Sequence, residues 1–163
     1  MELLGCPRSR SFWEAGGFDS AFFAHMEEID LCWRLQNLGY RIFYCAQSVV
    51  YHVGGGTLPA SNPRKTFLNF RNSLAMLYKN LPNSRLVQVI FLRLMLDGLA
   101  GIVFFLQKKP QHCWAIIQAH FSFYKDFIFW MKQRKKVIRK DHHKAEKMYP
   151  GSIIWEYFVR KRK

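Results

Sequence analysis

The decapeptide HMEEIDLCWR, residues 25–34, sets three carboxylates, Glu27, Glu28 and Asp30, among the large apolar residues Met26, Ile29, Leu31 and Trp33. On a helix, Glu27, Asp30, Leu31 and Arg34 share one face, because positions i, i+3, i+4 and i+7 align, while Glu28 points elsewhere. Two chemistries fit this pattern. In the plainer one, Glu27 and Glu28 complement the positive end of the helix dipole and Asp30 pairs with Arg34. In the other, the carboxylates work with a neutral imidazole as a divalent-cation and general-base group. His52 is the candidate imidazole: it ends a β-branched run just before Gly54, Gly55 and Gly56, residues that allow a backbone to approach a ligand closely.

The elements around these residues follow from pattern. Leu31, Leu35 and Leu38 recur at helical spacing, and Gly39 is a natural helix stop. Tyr40–Cys45 and Ser48–Val53 are rich in β-branched and aromatic residues and predict short strands. Asn62 and Pro63 suit the cap and first turn of a helix that carries Phe67, Phe70, Leu74 and Leu77 and ends at Pro82. Leu86–Leu106 is long and apolar enough to reach across a bilayer, which needs about 20 residues. Arg93 and Asp97 lie at its centre, four residues apart, where they can pair; they favour a helix in the membrane interface, or packed on a partner, over a spanning one. Gln111–Lys136 predicts another long helix, its aromatic residues running into lysines and arginines as in membrane-surface helices.

Composition narrows the classes. Half of the 163 residues are hydrophobic and 17% aromatic, which excludes a mainly disordered chain. The four cysteines are scattered without metal-ligand or disulfide-framework spacing, as expected of buried thiols in a reducing cytosol. The net charge of +14 is uneven. Residues 1–60 hold four basic and six acidic residues, residues 132–163 twelve and three. That imbalance points the tail at an anionic partner. No recognisable nucleic-acid-binding fold surrounds KQRKKVIRK, so an anionic membrane surface is the expected partner and nucleic acid is not. No apolar signal segment opens the chain, which places its front half in the cytoplasm.

The run GGFDSAFFAHMEEIDLCWRLQNLGYRIFYCAQSVVYHVGGGT resembles the C-terminal half of the catalytic domain of family-2 glycosyltransferases of the GT-A fold, nearest to the rhamnosyltransferase-like enzymes of bacterial cell-surface polysaccharide synthesis. The resemblance implies an α/β fold: residues 1–60 as the C-terminal portion of a GT-A (Rossmann-like) domain, residues 61–163 as a helical, basic, membrane-associated region. It implies inverting transfer from a nucleotide-sugar donor to a cell-surface polysaccharide or lipid-linked glycan, at the cytoplasmic face of a bacterial inner membrane. Glu28 matches the base that deprotonates the acceptor hydroxyl, with Glu27 beside it and Asp30 positioning or structural. His52 matches a histidine that binds catalytic Mg²⁺ or Mn²⁺. No Asp-x-Asp occurs in the sequence, so the chain is expected to be the later part of such an enzyme and inactive alone. Arg71, in NFRNS, suits diphosphate oxygens, and equally suits a surface position or a carboxylate partner. The competing function is a non-enzymatic membrane-surface helical module with a vestigial catalytic segment. A hydrolase built on Glu27, Glu28 and His52 lacks a second histidine at motif spacing.

Overall fold

The computed structural model describes residues 9–43, 45–47, 49, 51, 59, 61–137 and 160. Six helices follow one another: α1 (Ser9–Glu14), α2 (Glu27–Asn37), α3 (Pro63–Asn80), α4 (Asn83–Leu106), α5 (Pro110–Lys125) and α6 (Phe127–Lys136), with a 3₁₀ turn at Ser20–Phe22 between the first two. Helix α2 stops where Gly39 takes φ 97°. There the Gly39 N–H bonds the Gln36 carbonyl and the Tyr40 N–H the Leu35 carbonyl, the paired closure of a glycine-ended helix. Helix α3 starts at Asn62, whose side chain accepts the Arg64 N–H at 2.9 Å, with Pro63 in the first turn.

The expected α/β half of a GT-A domain is not what the described residues form. Of them, 74% are helical and none lies in a strand. Tyr40–Phe43 and Cys45, the described part of the first expected strand, are irregular, as are Val49 and Tyr51 of the second. Phe43 and Tyr51 are exposed rather than packed on a sheet face. The physical reason is that β-propensity measures fit to a half-buried pleated surface. Without a neighbouring strand to pair their N–H and C=O groups, such segments gain nothing from extension. The expected single helix over Gln111–Lys136 is two, broken at Asp126, with Pro110 opening α5. Cys45 is exposed, and Cys32 and Cys113 half-buried, all three free.

Helix α3 is the central element. It packs along α5, α4 and α6 on one side and against α2 on another. The core joins Leu74, Ala75 and Met76 of α3 to Phe123 of α5, Trp130 of α6 and Phe22 of the 3₁₀ turn. Phe22 is fully buried, its ring 5.8 Å from that of Trp130. Burying such a side chain contributes about 1.5–3 kcal/mol, so Phe22 anchors the loop before α2 onto the helical bundle.

Helix α2 is fastened to α3 chiefly by charge. Asp30 is fully buried. Its Oδ2 accepts from Arg34 Nε at 2.8 Å and Lys79 Nζ at 3.0 Å, and its Oδ1 from Asn80 Nδ2 at 2.7 Å. Lys79 also reaches Asp19 Oδ2 at 2.7 Å. Arg34 donates to the carbonyls of Ala15 and Gly17, the latter at 2.7 Å. Gly17, at φ 64°, holds a conformation that strains any side-chain-bearing residue, and a Cβ there would lie 3.2 Å from the Phe12 ring, which would have to shift.

Removing the shared carboxylate should therefore leave Arg34 and Lys79 short of a buried counter-charge. Asp30→Ala is expected to destabilise the chain by about 3–5 kcal/mol, read by urea unfolding. Gln36→Ala, on the exposed side of the same helix, should stay within about 0.5 kcal/mol. Equal effects from the two would show that the network does not hold α2.

Candidate functional site

The first turn of α2 follows a tightly constrained loop. Asp19 caps the 3₁₀ turn, accepting the Ala21 N–H at 3.1 Å. Phe23, His25 and Met26 then take φ of 62°, 68° and 74°, values that bulky residues rarely adopt and that surrounding contacts must hold. The contacts come from α3. Asn72, fully buried, donates through Nδ2 to the carbonyls of Phe22, Ala24 and His25 at 2.9, 2.8 and 2.9 Å. Arg71 Nη2 donates to the Ala21 carbonyl at 2.9 Å, while its Nε donates to Asn72 Oδ1 at 2.9 Å.

This geometry separates the residues that the sequence singled out. Asp30 is filled by two cations and an amide, so the pairing with Arg34 expected of the plainer reading is present and extended. Arg71 is occupied by backbone carbonyls and lies 5.6 Å from the Phe67 ring; it acts on the loop rather than being left open to a phosphate. Glu27 and Glu28 are half-buried and take no hydrogen bond or ion pair among the described residues. Glu27 Oε2 and, two residues earlier, His25 Nε2 are buried polar atoms without a partner there. His52 lies outside the described residues.

The environment limits the chemistry. Burial, and then the Glu28 charge, push the Cys32 thiol up, which disfavours its thiolate form. No three His, Cys, Asp or Glu side chains converge as metal ligands among the described residues. A cleft of about 470 Å³ opens beside the ionic network, lined by Trp13, Glu14, Phe18, Asp19, Arg34 and Lys79 among others. Glu27 and Glu28 are not in its wall.

Sequence reasoning passed over Asn72, Lys79, Asn80 and Asp19, which do most of the positioning. A signal existed for three of them: Asn72, Lys79 and Asn80 stand at i, i+7 and i+8, one stripe of a helix that also buries Leu68, Leu74, Ala75 and Met76.

Burial alone would push the Asp19 carboxyl up. The Lys79 hydrogen bond and charge, the Ala21 N–H and Arg34 together outweigh burial and hold it below its usual value. The unfolded chain therefore takes up the extra proton on acidification. Asp19's contribution is complete above about pH 4 and is lost as pH falls through the lower folded value. Urea unfolding at a series of acidic pH values should show a stability slope that Asp19→Asn flattens; an unchanged slope would contradict the assignment. Compared with protein-family models, with curated proteins and with solved structures, the chain matches none.

Proposed function

We propose that the region around α2 is the acceptor-activating part of an inverting family-2 nucleotide-sugar glycosyltransferase, acting on a glycan or lipid-linked acceptor at the cytoplasmic face of a bacterial inner membrane. The support is the motif from Gly16 to Thr57 and one structural observation. Of three crowded carboxylates, Asp30 is locked into the fold, while Glu27 and Glu28 are half-buried and have no ion-pair partner among the described residues. Asp30 is thus the positioning residue, and Glu28 is the base that takes the proton from the acceptor hydroxyl as it attacks the sugar. Attack opposite the leaving nucleotide gives inversion in one displacement. Arg71 and Asn72 act through the loop they clamp, and no step requires them to touch the donor.

Membranes in which the whole reading frame is expressed provide the assay, with nucleotide-sugar donors and lipid-linked acceptors. Glu28→Gln should lower transfer by about 10²–10⁴-fold, the usual contribution of a general base, with donor affinity unchanged. Full activity in Glu28→Gln together with loss in Glu27→Gln would move the base to Glu27. Transfer unaffected by either change would refute the assignment of the base, and no transfer by the unmodified protein would refute the proposal and leave the membrane-surface module as the reading.

A further inference from the structure

Helix α4 has its polarity turned inward. All 24 of its residues are described, and Asp97 alone among them is buried. Arg93 Nε meets Asp97 Oδ1 at 2.7 Å, and His120 Nε2 of α5 meets Asp97 Oδ2 at 3.1 Å. Arg93 also lies over the Phe70 ring of α3, 5.4 Å from its centroid. The outward side is apolar: Phe91, Met95, Leu99 and Ile102, spaced 4, 4 and 3 apart, are each more than half exposed. Trp114 and Phe121 of α5 and Ile128 of α6 are likewise more than half exposed. Large apolar side chains left in water in such number mark an interaction surface.

Charge identifies what covers it. Residues 83–137 carry nine basic and two acidic residues, one of the two being the buried Asp97. Lys108 and Lys109 at one end, and Lys132, Lys135 and Lys136 at the other, are all exposed. A second copy laid on this face would bring lysines against lysines, whereas anionic lipid headgroups complement them.

The bundle also fixes the orientation. Helix α3 packs against both α4 and α5, and its two ends are tied near the two ends of α4. Thr66 meets His112 at 2.7 Å, and His112 stacks on Phe104 near one end of α4. Arg134 bonds both the Tyr78 carbonyl and Asn83 at the other. Helix α3 carries Arg64, Lys65, Arg71 and Lys79, and it is joined to the ionic network around Asp30. Standing α4 across a bilayer would therefore draw α3 and that network to hydrocarbon depth. Laying α4 flat immerses the apolar faces alone.

We infer that the outward faces of α4, α5 and α6 form one membrane-docking surface that lies in the plane of an anionic lipid bilayer, half-immersed and not spanning it. This surface stands on its own observations and does not depend on the transfer reading, so failure of either leaves the other intact.

The test uses the full chain with Cys6, Cys32, Cys45 and Cys113 replaced by serine and single nitroxide labels at positions 91, 95, 99 and 102. Vesicles of phosphatidylcholine and phosphatidylglycerol are the probe. The labels should report one common shallow depth, from oxygen against nickel-chelate accessibility. Vesicle binding should weaken with salt but persist, since apolar immersion is not screened. Depth that rises toward the middle label pair and falls again would mean a spanning helix and overturn the inference. Labels that meet no lipid, in a chain that sediments as a dimer without vesicles, would overturn it in favour of a second copy. Oriented circular dichroism of the unmodified chain in stacked bilayers provides a check free of substitutions: the in-plane signature supports the inference, and the transmembrane signature defeats it.

Discussion

The buried carboxylate of Asp30 is the constraint on which the arrangement of this chain turns. Removing one carboxylate and two cations from water costs several kcal/mol per ion, and mutual attraction repays this only when every remaining lone pair and proton is satisfied. Here both Asp30 oxygens are filled, and Lys79 is shared with Asp19. The pairs reach from α2 to a helix 49 positions further along the chain. Apolar contact tolerates sliding, but a three-way buried ion cluster does not. The rotation of α2 on α3 is set by it, and with it the direction in which the first turn presents Glu27 and Glu28.

The clamp on the preceding loop obeys the same logic with neutral groups. Three residues with left-handed φ between positions 23 and 26 would not persist on local preference. Asn72 offers two N–H donors to three carbonyl oxygens, and Arg71 supplies more. The carbonyls that the irregular backbone leaves without helix or sheet partners are thereby satisfied in a dry place. Phe22, buried between α3 and Trp130, prevents the loop from lifting away. The strained backbone is thus held from two sides, by polar bonds and by a packed ring.

What could be read from the residues alone was whatever is decided locally. Asn62 and Pro63 open α3, Gly39 closes α2, Asp30 pairs with Arg34, and Arg93 pairs with Asp97; each depends on neighbours within a turn or two. The errors arose where the outcome depends on distant partners. Tyr40–Cys45 has strand-forming composition, yet composition cannot supply the second strand that would make it a sheet. The break at Asp126 interrupts an apolar pattern that runs on unchanged. The acceptors of Arg71, backbone carbonyls of residues 21 and 22, lie about fifty positions away and have no side-chain signature. The two glutamates were visible as a cluster, but only the packing of α2 on α3 distinguishes them from Asp30.

Polarity in this chain is layered about α3. On one side its asparagines and Lys79 meet the carboxylates and carbonyls of α2 and its loop. On the other its apolar residues meet α5 and α4, whose own polar side chains Arg93, Asp97 and His120 meet one another. Packed helix axes lie about 8–10 Å apart. With α4 and α5 flat in an interface, α3 acts as a spacer about one helix thick, and α2 is carried above it. The first turn of α2 then stands clear of the hydrocarbon. The buried ionic network is compatible with this height and incompatible with a deeper one, since the charges that orient α2 would lose their stabilising surroundings if drawn toward the acyl chains. The same interaction that aims the acidic turn therefore also limits how far the molecule can sink.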